Sequence, residues 1–324
     1  MKVIIYEKYG SPEVLQIKEI EKPVPKENEI LIKVYATTVT VADCRVRGFK
    51  VPTSFWLPAR FALGFFKPKQ SVLGGELSGV IESVGKNVTK FKVGDEVIGF
   101  LGHRLGAYAD YVSLDESECI TLKPENLSFE ESAPLSFGGI TALHFLKKGN
   151  VKKNDKILIY GASGSVGTYA IQIAKYLGAE VTGVSSSENL DLLKKLGADR
   201  VIDYASSDWR DFNEKFDVLF DTVGKCDISK AIGLIKPEGR YIHTVTTPST
   251  ELKIRFHLLR SGIKLIGGTY SATLEEINEI KKLAEEGVIK PVIDRQYNFD
   301  EIVSAHAYVD KGHKKGNVVV SLIK

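Results

Sequence analysis

The sequence predicts an α/β protein with a doubly wound parallel sheet and a second, β-rich domain. Beyond about residue 150, β-branched apolar runs alternate with stretches whose apolar residues recur at helical spacing. Alternating strands and helices of this kind form parallel sheets. Before residue 124, short apolar runs are separated instead by turns rich in Gly, Pro and Asn, a pattern typical of an irregular β-rich domain.

Composition and length limit the function classes. A chain of 324 residues with 43% hydrophobic and 26% charged residues is ordinary for a soluble protein of two domains. The net charge of +3 does not favour nucleic acid as a partner. No uncharged apolar stretch approaches the roughly 20 residues of a membrane span, so we expect no stable membrane insertion. Three scattered cysteines and an N-terminus unlike a signal peptide favour a reduced, cytoplasmic protein.

The first part of the chain is predicted to contain short strands and then one long helix. Ser128 and Glu131 form a capping box, which predicts a helix over residues 133–148. The strands are predicted over residues 2–6, 15–19, 29–38, 77–84, 96–99 and 109–113.

The second part is predicted to alternate between strands and helices. Helices are predicted over residues 169–177, 189–196 and 273–286, and the tail from Lys290 is predicted to return to strand. Strands are predicted over residues 157–160, 181–184, 200–203, 218–222, 239–244 and 264–267.

The turn Gly161–Gly167 between the first strand and helix of this part is a candidate anion site. Gly164 would let the backbone approach a pyrophosphate, and Gly167 would let the helix pack tightly on the strand. Ala162 stands where the first glycine of a G-x-G-x-x-G fingerprint would be, so the motif is incomplete. We predict dinucleotide binding over an ordinary tight turn. The predicted contacts are Ala162, Ser163, Gly164, Ser165, Val166 and Gly167.

The end of the next strand bears on which dinucleotide binds. NAD-binding folds place Asp or Glu there to bind the ribose 2′-OH, whereas this chain has Ser185, Ser186 and Ser187. Hydroxyls tolerate a 2′-phosphate, so NADPH is favoured over NADH. Glu188 follows at once, and no Lys or Arg lies between Gly178 and Leu193. The alternative is therefore that Glu188 binds the ribose 2′-OH.

These residues together resemble the medium-chain dehydrogenase/reductase superfamily, and within it the zinc-independent quinone oxidoreductase and enone reductase branch. The resemblance rests on ordered pieces along nearly the whole chain, among them GGELSGVI at 74–81, VGDEV at 93–97, GAYADY at 106–111, GGITA at 138–142, LGAD at 196–199 and DTVG at 221–224. It implies a GroES-like catalytic domain (1–126 and 272–324) interrupted by a Rossmann domain (127–271). It also implies an active site in the cleft between these domains, and a homodimer.

The resemblance also implies cofactor contacts beyond the glycine turn, at Thr141, Asn189, Tyr204, Thr222, Val223 and Gly224. Zinc-dependent relatives take metal ligands from a Cys and a His at places where this chain has Thr40 and Gly75. Neither residue can replace thiolate or imidazole as a ligand. Cys44 is better interpreted as a buried small residue. We therefore expect no zinc, and reduction of a quinone or an α,β-unsaturated carbonyl rather than dehydrogenation of an alcohol.

The candidate catalytic residues are Thr40, Asp43 and Thr141. Thr40 and Asp43 resemble the pocket-lining loop of this branch, and Thr141 resembles the residue beside the nicotinamide. Asp43 has an alternative as a turn cap or as a partner of Arg47, and Thr141 as an ordinary helix residue. His103 is either a proton relay or a solvated loop residue.

An aromatic stretch over residues 49–70 has three interpretations. It contains six aromatic side chains among Arg60, Lys67 and Lys69. It could form an apolar lip for a bulky acceptor, a surface that touches membranes, or a short helix buried against the barrel; we expect a partly buried lip. Two other functions remain open for the chain: an alcohol dehydrogenase-like enzyme, and a dinucleotide-binding protein without turnover.

Overall fold

The computed structural model describes residues 1–51, 56–206, 214–244, 248–259 and 261–322. The strands are β1 (Lys2–Ile5), β2 (Gln16–Glu19), β3 (Glu29–Thr38), β4 (Glu76–Val84), β5 (Glu96–Phe100), β6 (Tyr111–Asp115), β7 (Ile120–Leu122), β8 (Lys156–Tyr160), β9 (Glu180–Ser185), β10 (Arg200–Asp203), β11 (Phe216–Asp221), β12 (Ile235–His243), β13 (Lys264–Ile266), β14 (Ile293–Asn298) and β15 (Asn317–Ser321). The helices are α1 (Val41–Arg47), α2 (Trp56–Leu63), α3 (Phe129–Ser132), α4 (Ile140–Lys148), α5 (Ser165–Tyr176), α6 (Leu190–Lys195), α7 (Ile228–Ala231), α8 (Pro248–Leu258), α9 (Leu274–Glu285) and α10 (Ile302–Asp310).

The chain divides into two compact units. The first unit contains Met1–Phe137, Ser271–Glu285 and Ile293–Lys324, and the second contains Gly138–Tyr270 and Glu286–Val292. The chain therefore leaves the first unit and returns to it.

The second unit is built on a six-stranded sheet in the order β10-β9-β8-β11-β12-β13, with all strands parallel. This confirms the doubly wound parallel sheet. The strand order reverses between β8 and β11, and ligands of such folds bind at the carboxyl ends of the strands at this switch point. A buried cluster with Leu158, Val184, Leu219 and Tyr241 forms part of the core.

The first unit is built on a seven-stranded sheet in the order β14-β15-β3-β4-β5-β7, with β6 paired to β3. The β3–β4 pair is antiparallel and places Ile32 opposite Ile81. Both side chains are buried in one apolar cluster of this unit. The C-terminal strand β15 pairs antiparallel with β3, so the tail completes the sheet that the N-terminal part begins.

The prediction of one helix over residues 133–148 is wrong, because the helical structure neither starts at residue 133 nor forms one continuous α-helix. The Ser128–Glu131 capping box exists, but it begins the four-residue helix α3. A π-helical turn at Leu135–Gly139 separates α3 from α4. A Cβ on Gly138 would lie 2.9 Å from the ring of Tyr169 on α5, so a side chain there would prevent this close approach.

The predicted strand character of the tail from Lys290 is also incomplete, because α10 lies between β14 and β15. Asn298 and Glu301 form a capping box before it, and its buried residues recur at helical spacing. Other elements differ less: α5 begins at Ser165 rather than at residue 169, and β6 lies two residues beyond its predicted start. Among the residues that the structure describes, no helix combines the length and apolarity needed to cross a bilayer.

Candidate active site

The turn after β8 requires glycine at two places, once for its backbone conformation and once for lack of space. Gly161 has a φ of 78°, and a Cβ there would lie 2.6 Å from a methyl carbon of Val223. A Cβ on Gly167 would clash with the Gly161 carbonyl oxygen and lie 2.7 Å from the carbonyl carbon of Ala162. The predicted tight packing at Gly167 is therefore present. Gly161, which sequence reasoning did not single out, provides the positive φ that the turn requires.

The N-terminus of α5 follows this turn at the end of β8. Gly164 is its N-cap with an extended backbone, and it has no side chain to cap the first-turn amides. A Cβ on Gly164 would meet no described atom closer than 3.4 Å, so the fold itself leaves room there. Uncapped amides and the helix dipole suit an anion such as a pyrophosphate.

The loop after β11 is tied to the glycine turn across the switch point. Thr222 Oγ1 donates to the carbonyl oxygens of Tyr160 at 2.9 Å and Gly161 at 3.1 Å. The Asp221 carboxylate accepts the backbone N–H groups of Val223 and Gly224 at 3.0 and 2.8 Å. The predicted contacts Thr222, Val223 and Gly224 thus lie beside the turn, in a loop ordered by Asp221.

Four predicted polar residues meet at the carboxyl end of β9; we call them the serine cluster (Ser163, Ser185, Ser186 and Asn189). Ser185 Oγ donates to Ser163 Oγ at 2.7 Å. Asn189 Nδ2 lies 2.9, 3.3 and 3.4 Å from the hydroxyls of Ser186, Ser185 and Ser163. Tyr204 lies beside the cluster, because its backbone N–H donates to the Ser185 carbonyl oxygen at 3.1 Å.

The serine cluster suits a nucleotide ribose. Asn189 is buried, and its Oδ1 has no hydrogen-bond partner within the structure. A buried acceptor of this kind is unfavourable until a donor such as a hydroxyl reaches it. Glu188, the first carboxylate after the strand, is exposed. The residues present therefore fit a dinucleotide whose ribose lies against hydroxyl and amide groups.

Thr141 lies near the start of α4 in the second unit and is buried. Its Oγ1 is 2.5 Å from the Tyr270 hydroxyl oxygen. The Tyr270 ring stacks on His144, with ring centroids 4.5 Å apart. Sequence reasoning did not find Tyr270, since it lies in a loop far from Thr141 in sequence and belongs to no recognisable motif.

Thr40 and Asp43 lie at the beginning of α1 in the first unit and form a capping box. Thr40 Oγ1 accepts the Asp43 N–H at 3.1 Å and donates to Asp43 Oδ2 at 2.5 Å. Asp43 Oδ1 accepts the Gly74 N–H at 3.0 Å. Burial raises the pKa of this carboxyl, although each of its hydrogen bonds lowers it. The capping alternative for Asp43 is thus correct, and its carboxylate orients Thr40.

The alternative pairing of Asp43 with Arg47 is wrong. The fully buried Arg47 guanidinium contacts His306 Nδ1 at 2.9 Å and donates to Asp310 at 2.5 Å. Cys44 is buried as predicted, and burial raises the pKa of its thiol to about 12. His103 is exposed in a 3-10 turn.

Glu76 is a buried acid that sequence reasoning missed. One carboxylate oxygen accepts the Thr38 hydroxyl at 2.5 Å, and the other accepts the Phe137 N–H at 2.6 Å. Burial raises the pKa of Glu76 to about 8, with a further increase from Asp43 and a decrease from Lys314. The available signal was a Glu at the beginning of a largely apolar strand, ELSGVIESV. In the described part of the chain, no group of three or more His, Cys, Asp and Glu side chains could hold a metal ion.

Two families match parts of the chain. Residues 26–124 match the family described as alcohol dehydrogenase GroES-like domain, and residues 196–320 match the family described as zinc-binding dehydrogenase. A 2-methylene-furan-3-one reductase from Solanum lycopersicum is 33% identical over 99% of this chain and 79% of its own length. This chain belongs to the medium-chain dehydrogenase/reductase superfamily. Its position within the superfamily is the quinone oxidoreductase and enone reductase branch.

Two further relatives of this superfamily member cover nearly its whole length. A chloroplastic NADPH-dependent alkenal/one oxidoreductase from Arabidopsis thaliana is 30% identical over 99% of this chain and 79% of its own length. The solved structure of a quinone oxidoreductase from Coxiella burnetii is 29% identical, with a TM-score of 0.89 over 100% of this chain and 99% of that one. The GroES-like and Rossmann architecture expected from the sequence is thereby confirmed.

Because Glu76 is buried, we expect the free energy of unfolding of this superfamily member to depend on pH. Folding raises its pKa from 4.5 to about 8, so between these values the folded protein holds a proton that the unfolded chain releases. The contribution of Glu76 to stability therefore falls as pH rises through this window. Glu76→Gln stays neutral, and its stability relative to the wild type should rise across the window by about 1–3 kcal/mol.

Urea unfolding of both proteins at several pH values measures this difference. Glu82→Gln is a matched control on the same strand, because the pKa of Glu82 is lowered by its hydrogen bond with Lys22; it should not show the rise. A difference between Glu76→Gln and wild type that stays constant with pH would show that Glu76 is ionised in the folded protein.

Proposed function

We propose that this chain is a zinc-independent oxidoreductase that uses NADPH to reduce a quinone or an α,β-unsaturated carbonyl compound. The observation that carries the proposal is the serine cluster, whose hydroxyls and amide lie at the end of β9 next to the uncapped N-terminus of α5. Two relatives support it: the one from Arabidopsis thaliana is an alkenal/one oxidoreductase dependent on NADPH, and the one from Coxiella burnetii is a quinone oxidoreductase.

The residues that would hold the cofactor divide by the part they contact. The turn Gly161–Gly167, with Ala162, Ser163, Ser165 and Val166, would bind the pyrophosphate at the helix N-terminus. Ser185, Ser186, Asn189 and Tyr204 would surround the adenosine ribose, and the loop with Thr222, Val223 and Gly224 would border the nucleotide across the switch point. When bound, NADPH supplies the hydride.

The preference for NADPH rests on the charge at the end of β9. The groups gathered there are hydroxyls and one amide, which can donate hydrogen bonds to phosphate oxygens. A carboxylate in their place would repel the 2′-phosphate while accepting a hydrogen bond from a ribose 2′-OH. None of the four side chains of the cluster is a carboxylate, and Glu188 beside them is exposed.

The acceptor class follows from the side chains that this chain offers for catalysis. Thr40, oriented by Asp43, and Thr141, paired with Tyr270, are neutral hydroxyl groups. Hydroxyls can orient a carbonyl and hold a proton, but they do not stabilise an alkoxide as a Lewis acid does. A conjugated acceptor delocalises the negative charge that develops on it. Quinones and enones are therefore the acceptors that these residues suit.

The proposal also places the protein in the cytoplasm as a homodimer. Cys44, Cys119 and Cys226 are free thiols, as expected in a reducing compartment. One relative is chloroplastic, so the compartment differs among the relatives. Both the compartment and the dimer stay predictions.

A carboxylate in the serine cluster should reverse the cofactor preference. We expect a lower KM for NADPH than for NADH in the wild type. Ser186→Asp should weaken use of NADPH by about 1–3 kcal/mol through like-charge repulsion and favour NADH. Steady-state kinetics with both cofactors measures the change. Ser186→Ala is the matched control, because it removes the hydroxyl without adding charge. A wild-type preference for NADH would instead indicate that Glu188 binds the ribose.

The acceptor should be reduced only when it is conjugated. With NADPH, an enone should be reduced at least about tenfold faster than the corresponding saturated ketone, since only the enone delocalises charge without a Lewis acid. Elemental analysis of the same preparation should find no stoichiometric zinc, and chelators should leave the rate unchanged. Faster reduction of the saturated ketone, or zinc bound in proportion to protein, would favour an alcohol dehydrogenase-like enzyme. Tight NADPH binding without turnover of any quinone or enone would indicate a binding protein.

A further inference from the structure

One stretch of the first unit is both strongly basic and rich in exposed apolar side chains. Residues 44–75 contain no Asp or Glu, and their six basic residues are Arg45, Arg47, Lys50, Arg60, Lys67 and Lys69. Arg47 and Lys50 pair with Asp310, whereas Arg60, Lys67 and Lys69 lie beyond them in a chain whose net charge is only +3. We call residues 56–70, which contain α2 and the loop after it, the basic aromatic segment.

Apolar side chains protrude from the basic aromatic segment. Leu57 and Phe61, one turn apart on α2, are 53% and 67% exposed, and Phe66 in the following loop is 89% exposed. On the inner side of the helix, Ala59 is buried. The helix is therefore not buried against the barrel through its aromatic residues, as one interpretation of the sequence held. Phe55, another aromatic of this stretch, lies outside the described residues.

Contacts of Arg60 and Tyr9 hold the segment that carries these exposed side chains. The Arg60 guanidinium lies 3.9 Å from the ring centroid of Phe49 and 5.0 Å from that of Trp56, and it donates to the Phe65 carbonyl oxygen at 2.9 Å. Tyr9 from outside the segment donates to the Leu63 carbonyl oxygen at 2.9 Å. The fold thus holds the apolar groups outward rather than leaving them exposed by loss of structure.

We propose that the basic aromatic segment docks this protein on the surface of anionic lipid bilayers. Leu57, Phe61 and Phe66 would enter the boundary between head groups and acyl chains. Trp56, which is 42% exposed and packs against Phe65, would lie at head-group depth, where Trp is enriched. Lys67 and Lys69, both exposed, would face the anionic head groups.

Charge favours a lipid surface over a second copy of this chain. A two-fold dimer interface places the same patch on both subunits, so a segment with bases and no acids would face another of the same sign. An anionic bilayer provides the opposite charge and an apolar phase at once. The docking is peripheral, which agrees with the lack of a bilayer-crossing helix among the described residues.

Vesicle sedimentation with the full chain tests the proposal. The wild type should bind vesicles that contain phosphatidylserine, bind vesicles of phosphatidylcholine alone at least about tenfold less, and release as salt is raised. Phe66→Ser should weaken binding about tenfold or more, because the side chain no longer enters the apolar phase. Val24→Ser is the matched control, since Val24 is 85% exposed in the same unit and its sequence neighbours Glu21, Lys22, Lys26 and Glu27 carry both signs of charge; it should bind like the wild type.

Reversing the charge of two lysines in the segment is a second test of the proposal. Lys67→Glu with Lys69→Glu should abolish the preference for phosphatidylserine, whereas Lys90→Glu with Lys92→Glu, two exposed lysines of equal spacing in the same unit, should keep it. The thermal unfolding midpoint of each variant verifies its fold. The proposal is overturned by absence of binding to anionic vesicles, by equal binding of Phe66→Ser and wild type, or by a self-association that Phe66→Ser abolishes. The last result would make the segment an interface between copies.

Discussion

The close contact between the turn after β8 and the helix α5 is the constraint on which the nucleotide site depends. A side chain at Gly161 would collide with Val223, and one at Gly167 would collide with the backbone of the turn itself. With both glycines in place, α5 starts at the switch point of the sheet, where β8 lies between β9 and β11. The serine cluster follows on the β9 side and the Thr222 loop on the β11 side. The turn therefore lies between the two other groups of predicted cofactor contacts on the neighbouring strands.

In the first unit, buried polar groups hold the beginning of α1. Asp43 caps α1 and accepts a backbone N–H of Gly74. Arg47 at the other end of the helix is joined to His306, and His306 Nε2 lies 3.1 Å from the Tyr108 hydroxyl, which donates to the Thr38 carbonyl oxygen at 3.2 Å. Burial, with the neighbouring Arg47, lowers the pKa of His306 to about 3. The histidine is therefore neutral and can accept from the guanidinium.

These buried groups hold the Thr40 hydroxyl in one position at the beginning of α1. Its hydroxyl is fixed by two hydrogen bonds with Asp43, and the other end of the helix is fixed by the contacts of Arg47 with His306 and Asp310. Preorganised hydroxyls lower the entropic cost of orienting a substrate. A conjugated acceptor delocalises its developing charge and needs orientation more than charge stabilisation, so a fixed hydroxyl agrees with the proposed reaction.

The sequence predicted the parts of the molecule that depend on local pattern. The parallel sheet, the glycine turn and the serines at the end of β9 follow from periodicity and from residues a few positions apart, whereas Asn189 was implied by the family resemblance. The missed parts depend on contacts distant in sequence. Tyr270 meets Thr141, Glu76 meets Phe137, and Asp310 displaces Asp43 as the partner of Arg47. Helix α10 was missed although its capping box was visible, because the strand character on both sides dominated the pattern.

The most direct test of the nucleotide site is NADPH binding by Gly164→Ala, measured by isothermal titration calorimetry. The protein does not need this glycine: its φ of −76° is ordinary, and a Cβ would lie 3.4 Å from the nearest described atom. The methyl group of the new alanine would therefore collide only with a pyrophosphate bound at the N-terminus of α5. We expect NADPH affinity to fall at least about tenfold with little change in the thermal unfolding midpoint, whereas Gly233→Ala, with open space around its Cβ, should bind like the wild type. Undiminished NADPH affinity in Gly164→Ala would contradict the account.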